Sequence, residues 1–322
     1  MHDLLQLTLD GWLEGSAYAL VGLGLTLTFG TLRRLNLAYG ATAMLAAYVG
    51  AWLFARQAAP AWLVALCVVG MAVLIGLYVE RLCFGALGRS ETQQGQTVQE
   101  GRASATRVGV GFDGREVVAL ASSFAIWMQL EQLAVNLLPR HLNAFPDLSA
   151  GSEWTLLGLY VRPDRLLVAT LAVVLTLALA HWLQQSRGGL AWRAAATQRT
   201  AAALVGISVA RVQAVAFLLA SALSGVAAFA LLSLDGQITP MFGMWMLTKG
   251  LVAAVLGGLG SVRGVLLGGW TLGVVEAHAQ AAFGAVGREF STYALLFLVL
   301  VASRANREGL ALGWGGGAAH AR

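Results

Sequence analysis

Ser186 to Arg211 reads SRGGLAWRAAATQRTAAALVGISVAR, a basic, alanine-rich stretch between two strongly apolar segments. A run of this kind is a helix in water between two membrane crossings. Alanine favours the helix, Gly188 and Gly189 are expected to break the preceding span, and Gly206 stands where a helix C-terminus favours glycine. The expected helix therefore covers Trp192–Gly206, with Arg193 and Arg199 making it cationic. Such charge either fixes topology alone or forms a docking surface for a cytoplasmic partner.

The rest of the chain agrees with a membrane setting. Of 322 residues, 58% are hydrophobic and only 11% charged, with a mean hydropathy of +0.71. These values belong to polytopic membrane proteins. At about 20 residues per crossing the length allows roughly eight to ten helices, and 39 glycines suit helices packed through small residues. The fold class expected is an all-α polytopic helical bundle, a single transmembrane domain over residues 1–322. The amino terminus carries Asp3 and Asp10 instead of a basic leader, so the first helix is expected to be retained.

Apolar segments run over roughly 4–28, 36–55, 61–80, 117–138, 165–185, 212–234, 244–259, 262–283 and 289–303. Fifteen basic residues fall on the connections of one side, including Arg33, Arg34, Arg81, Arg193 and Arg199, against six on the other. The positive-inside rule makes the richer side cytoplasmic, which puts the amino terminus outside and the carboxyl terminus inside. The net charge of +5 is thus spread over loops, and no nucleic-acid partner is expected. Residues 89–115, rich in glutamine, glycine and serine, read as a flexible cytoplasmic insertion. Pro139–Arg165, with Phe145, Pro146 and Trp154, reads as a loop on the opposite membrane surface.

Motifs for covalent chemistry are missing. Lys249 is the only lysine and follows no phosphate-cradling glycine loop, and Cys67, Cys83 and the five histidines lack metal-ligand spacing. Ionisable residues inside spans demand a reason. Glu14 and Lys249 lie near segment ends and are expected at the interface, whereas Glu276 is expected to be a satisfied packing contact. Glu131, beside Gln129 and Gln132, is either locally satisfied or part of a polar path. Asn36 either hydrogen-bonds within the bundle or lines a polar cavity, and Gly40 permits close backbone approach. The Gly22, Gly24 and Gly30 series with Thr26 and Thr28 serves packing first, although a path between helices would use the same surface.

From Leu9 the chain reads LDGWLEGSAYALVGLGLTLTFGTLRRLNLAYGATAMLAAYVGAW. This block resembles the start of the branched-chain amino acid permeases of bacterial ATP-binding-cassette importers. Three further blocks follow in that family's order, namely Glu80-Arg81-Leu82, Gly189–Ile207 and TKGLVAAVLGGLGSVRGVLLGG from Thr248 to Gly269. Departures include Tyr39 where histidine or another polar residue is common, Arg263 where proline is common, and Glu131 where glutamine is common. The Gln198-Arg199-Thr200 run also lacks the acidic residues that relatives commonly place in this loop.

The resemblance implies an inner-membrane permease subunit that pairs with a second permease, two cytoplasmic ATPases and an extracytoplasmic solute-binding protein. ATP and magnesium would belong to the ATPases, and this chain would bind no cofactor or metal and catalyse no reaction. Thr28, Asn36, Gly40 and Glu131 are the expected substrate-path residues, and Trp192, Arg193, Arg199, Leu204 and Gly206 the expected coupling residues of loop 187–211. The implied cargo is a branched-chain or related amino acid, with urea or a short amide as the alternative. An ion-coupled carrier and a membrane-embedded enzyme are the readings from other classes.

Overall fold

The computed structural model describes residues 2–32, 36–85, 114–137, 144–148, 154–156 and 159–315. Its long helices are α1 (His2–Leu32), α2 (Ala38–Gln57), α3 (Ala61–Val79), α4 (Gly114–Leu137) and α5 (Pro163–Gln185). A turn of π-helix, Glu80–Gly85, prolongs α3, and a two-stranded antiparallel hairpin, β1 (Trp154–Leu156) with β2 (Leu159–Val161), precedes α5. The short α6 (Arg187–Thr197) and α7 (Arg199–Leu204) lead into α8 (Val209–Asp235), α9 (Phe242–Gly257) and α10 (Val262–Gly315).

α10 is not straight. Gly284, at φ 72° and ψ −162°, leaves helical geometry and divides it into residues 262–283 and 285–315. Sixteen residues of straight helix would separate Glu276 from Thr292 by about 24 Å, yet their side chains are hydrogen-bonded. The two arms therefore fold back on each other, with the reversal at a positive φ that glycine adopts without a Cβ penalty. With the arms separated, there are nine helices of 16 residues or more among the described residues, one for each apolar segment. Five stretches, Ala38–Gln57, Ala61–Cys83, Pro163–Gln185, Val209–Asp235 and Val262–Val301, are long and apolar enough to cross a membrane.

The central element is α1. From Gly15 to Thr28 every residue is buried, so this helix is enclosed by neighbours on all sides. Small residues let them approach. A Cβ on Gly15 would lie 2.3 Å from the Gly269 carbonyl oxygen, and one on Gly273 would lie 2.1 Å from the Gly11 oxygen. The two glycine pairs, each spaced by four, place α1 and the first arm of α10 backbone to backbone.

α9 has 16 residues, about 24 Å of helix, which is short of the roughly 30 Å hydrocarbon thickness. The non-helical stretch before it continues the pass, with Ile238 fully buried and Gly236 accepting a hydrogen bond from the Phe145 amide at 3.0 Å. The glycine-rich hairpin expected at Gly257–Gly269 thus joins α9 to the first arm of α10. The expected surface loop at 139–165 is partly internal, since Phe145 is buried and its ring meets Phe229 at 5.7 Å. Most of the 89–115 insertion lies outside the described residues, and its last two positions, Gly114 and Arg115, open α4.

Candidate functional site

Loop 187–211 differs from its expected form. The helix begins at Arg187, because the Ser186 hydroxyl accepts from the Gly189 amide at 2.8 Å and caps the N-terminus. Gly188 and Gly189 therefore lie inside α6 and do not break the span. Nor is there one helix over Trp192–Gly206. Gln198, at φ −146°, separates α6 from α7. Gly206 does end α7, at φ +86°, and its amide donates to Ala203.

The coupling candidates divide into two groups. Trp192 is 6% exposed and faces inward, where a Cβ on Gly30 would meet its ring at 2.5 Å. The Arg199 guanidinium donates to the Thr31 carbonyl at the end of α1, and Arg193 donates to the Gln184 carbonyl at 3.2 Å. These groups tie the loop to α1 and α5. Leu204, by contrast, is 84% exposed and its neighbour Val205 76%, an apolar knuckle that ends at the exposed Gly206.

The path candidates are each used locally. Thr28 donates back to the Leu25 carbonyl at 3.0 Å. Buried Asn36 accepts from the Ala38 amide at 3.1 Å and so satisfies the first free N–H of α2. A Cβ on Gly40 would lie 2.1 Å from the Gly243 oxygen, so Gly40 sets the crossing of α2 and α9. Glu131 accepts from the Trp127 indole at 2.8 Å, one turn away on α4. The structure does not gather these four around one cavity.

It gathers other residues instead. Lys249, expected at the interface, is 1% exposed in the middle of α9. Its ammonium lies 2.5 Å from Glu276 on the first arm of α10 and 2.8 Å from the Thr292 hydroxyl on the second. Thr292 also donates to Glu276. The other Glu276 oxygen accepts from the Tyr18 hydroxyl at 3.1 Å and from Arg288 Nε at 3.3 Å. Arg288 also binds Glu14 and donates to the Tyr18 hydroxyl at 2.6 Å. Trp245 and Tyr18 each present a ring 5.8 Å from the Lys249 ammonium. Glu276 is therefore satisfied, as its sequence setting suggests, but its partners lie as far as 258 positions away.

Burying these charges would be prohibitive singly, and a paired, hydrogen-bonded cluster is the form in which the interior tolerates them. The cluster joins α1, α9 and both arms of α10, which holds the Gly284 reversal against the central helix. Beside it opens a cavity of about 340 Å³ lined by Glu14, Arg165, Asp235, Trp245, Arg288 and Glu289, with Leu231 and Leu234 on its apolar side. Arg288, Tyr18 and Asp235 are the members that sequence reasoning passes over. The available signal was the Arg288-Glu289 pair between two apolar segments.

Similarity to known proteins extends over most of the chain. Residues 7–303 match the family described as the branched-chain amino acid transport system permease component. The high-affinity branched-chain amino acid transport system permease protein BraD of Pseudomonas aeruginosa is 27% identical over 305 residues, 94% of each chain. LivH of Escherichia coli K12, which carries the same description, is 28% identical over 310 residues, 92% of each chain. Among solved structures, PsaBC from Streptococcus pneumoniae in complex with Fab aligns over 90% of each chain at 10% identity with a TM-score of 0.48, a likeness too slight to carry residue roles across. With the helical bundle described, the match over residues 7–303 is decisive, and the chain belongs to the family of permease components of branched-chain amino acid transport systems.

Proposed function

We propose that the chain is the permease subunit of an ATP-binding-cassette importer that moves branched-chain or related amino acids across a bacterial inner membrane by alternating access. The observation that carries this reading is the family match from residue 7 to residue 303. The partners are a second permease, two cytoplasmic ATPases that hold ATP and magnesium, and an extracytoplasmic binding protein that delivers cargo. The arginine asymmetry supports a cytoplasmic position for loop 187–211, with the amino terminus outside and the carboxyl terminus inside.

In this reading the exposed Leu204–Val205 knuckle seats in an apolar hollow of the ATPase, and Arg193 faces an acidic rim. ATPase closure displaces α6 and α7 together. Trp192 against Gly30 and Arg199 on Thr31 pass that displacement to α1. Further along α1, Glu14 and Tyr18 hold Arg288 beside the Gly284 reversal, so the same rigid helix reaches both ends of the bundle. The saturation of Glu276 by Lys249, Thr292, Tyr18 and Arg288 leaves that carboxylate no capacity to exchange an ion, as a carrier coupled through it would require.

The test is uptake of radiolabelled leucine into proteoliposomes. Accumulation is expected only with both permeases, the ATPases, the binding protein and ATP present. Uptake by this chain alone without ATP would sink the proposal.

A further inference from the structure

The cavity beside the ion cluster has a composition that the cluster itself does not require. Arg288 is engaged by Glu14, Tyr18 and Glu276, so it has little capacity left for a ligand. Three other charged groups on the wall differ. Arg165, in the first turn of α5, meets Asp10 only at 3.4 Å, with both side chains partly exposed. Glu289 meets Lys249 at 3.5 Å and keeps 46% of its side chain accessible. Asp235, at the end of α8, is exposed to solvent and makes no hydrogen bond or ion pair among the described residues, and it lines the same cavity. Charged groups this weakly committed inside a concave site are available to a polar ligand. The remaining wall is apolar at Leu231, Leu234, Trp245 and Ala285, and polar at Gln280, whose side-chain oxygen accepts from Arg288 at 3.3 Å.

We propose that this cavity binds an α-amino acid zwitterion with an aliphatic side chain, the ammonium between Asp235 and Glu289, the carboxylate on Arg165 and the side chain against Leu231, Leu234 and Trp245. Two acidic groups and one basic group match a ligand whose opposite charges sit on adjacent carbons. A guanidinium suits a carboxylate through paired N–H donors. An uncharged amide such as urea would leave these charges unneutralised and the leucine wall without a partner. The assignment rests on the importer reading and deepens it, because it places a cargo contact within this chain in addition to the binding protein. Trp245 lines the cavity and also holds its ring 5.8 Å from the Lys249 ammonium, so an occupied cavity also bears on the first turn of α9.

The experiment is equilibrium binding of radiolabelled leucine to the assembled importer in nanodiscs without the binding protein. Saturable binding is expected, weakened about tenfold or more in Asp235→Asn and in Arg165→Gln, each checked for assembly by size-exclusion chromatography. Competition on the unaltered complex needs no variant to fold. Isocaproate, which lacks the ammonium, and isopentylamine, which lacks the carboxylate, should each compete at least about tenfold less well than leucine. Absence of saturable binding, variants that bind as the parent does, or analogues that compete equally would overturn the site. ATP-driven leucine uptake that persists unchanged in both variants would overturn it while leaving the importer reading intact. A parent complex with no ATP-driven uptake at all would instead remove the importer reading on which the site rests.

Discussion

Two regions of this molecule concentrate charge, and they handle it in opposite ways. Around Glu276 the charges are buried and satisfied by one another, with Lys249 and Glu276 at 1% and 2% exposure. In loop 187–211 the charges are arginines without a carboxylate in the same stretch. Two of them donate to the backbone carbonyls of Thr31 and Gln184 at helix ends, where the helix dipole favours a cation. The interior therefore depends on exact charge matching, whereas the loop depends on geometry at helix termini. Losing a partner should be severe in the first region and modest in the second.

The largest effect is expected from Lys249→Met, which leaves Glu276 in the interior without its ammonium. Removing one member of a buried pair costs about 3–5 kcal/mol, read as a large fall in thermal midpoint or loss of monodisperse protein in detergent. Lys249→Met combined with Glu276→Gln should recover much of that loss, since Arg288 keeps Glu14. A double variant no better than the single one would mean that Lys249 acts through packing and not charge.

Next comes Gly15→Val, whose branched side chain would enter the Gly269 backbone. Overpacking costs about 1–3 kcal/mol where neighbours can yield, and backbone on both sides yields little. A smaller and local effect is expected from Arg199→Ala, roughly 1 kcal/mol, because its bond to the Thr31 carbonyl is only partly buried. Faster amide exchange across α7 should report it, with α9 and α10 unchanged. Glu131→Gln should be smallest, below about 0.5 kcal/mol, because glutamine still offers Trp127 an oxygen acceptor. A Glu131→Gln variant that lost transport while keeping its stability would return Glu131 to the substrate path.

Particular residues show where sequence reasoning reached and where it stopped. The long helices were legible because membrane crossings need long apolar runs, and the basic loop was legible because arginine, alanine and Gly206 mark a helix and its end. The break at Gln198 was not legible, since glutamine is a good helix former. Neither was the depth of Lys249. Its neighbours suggest the end of a segment, but α9 starts at Phe242 and is enclosed by α1, α2 and α10. Glu131 drew attention as a carboxylate in mid-segment, yet a tryptophan four residues earlier satisfies it. Asp235 drew none, because a single aspartate at a helix end has an ordinary explanation.

By itself the sequence determined the helical class, the basic loop and the family resemblance, all of which depend on local composition or on ordered blocks. Tertiary structure alone decided which charges meet. Glu14 and Arg288 are 274 positions apart, and Lys249 reaches Glu276 and Thr292 only after α10 reverses at Gly284. The physical reason is that a buried charge is set by the cost of leaving it unpaired, and its partner is chosen by helix packing, which periodicity along one chain does not encode.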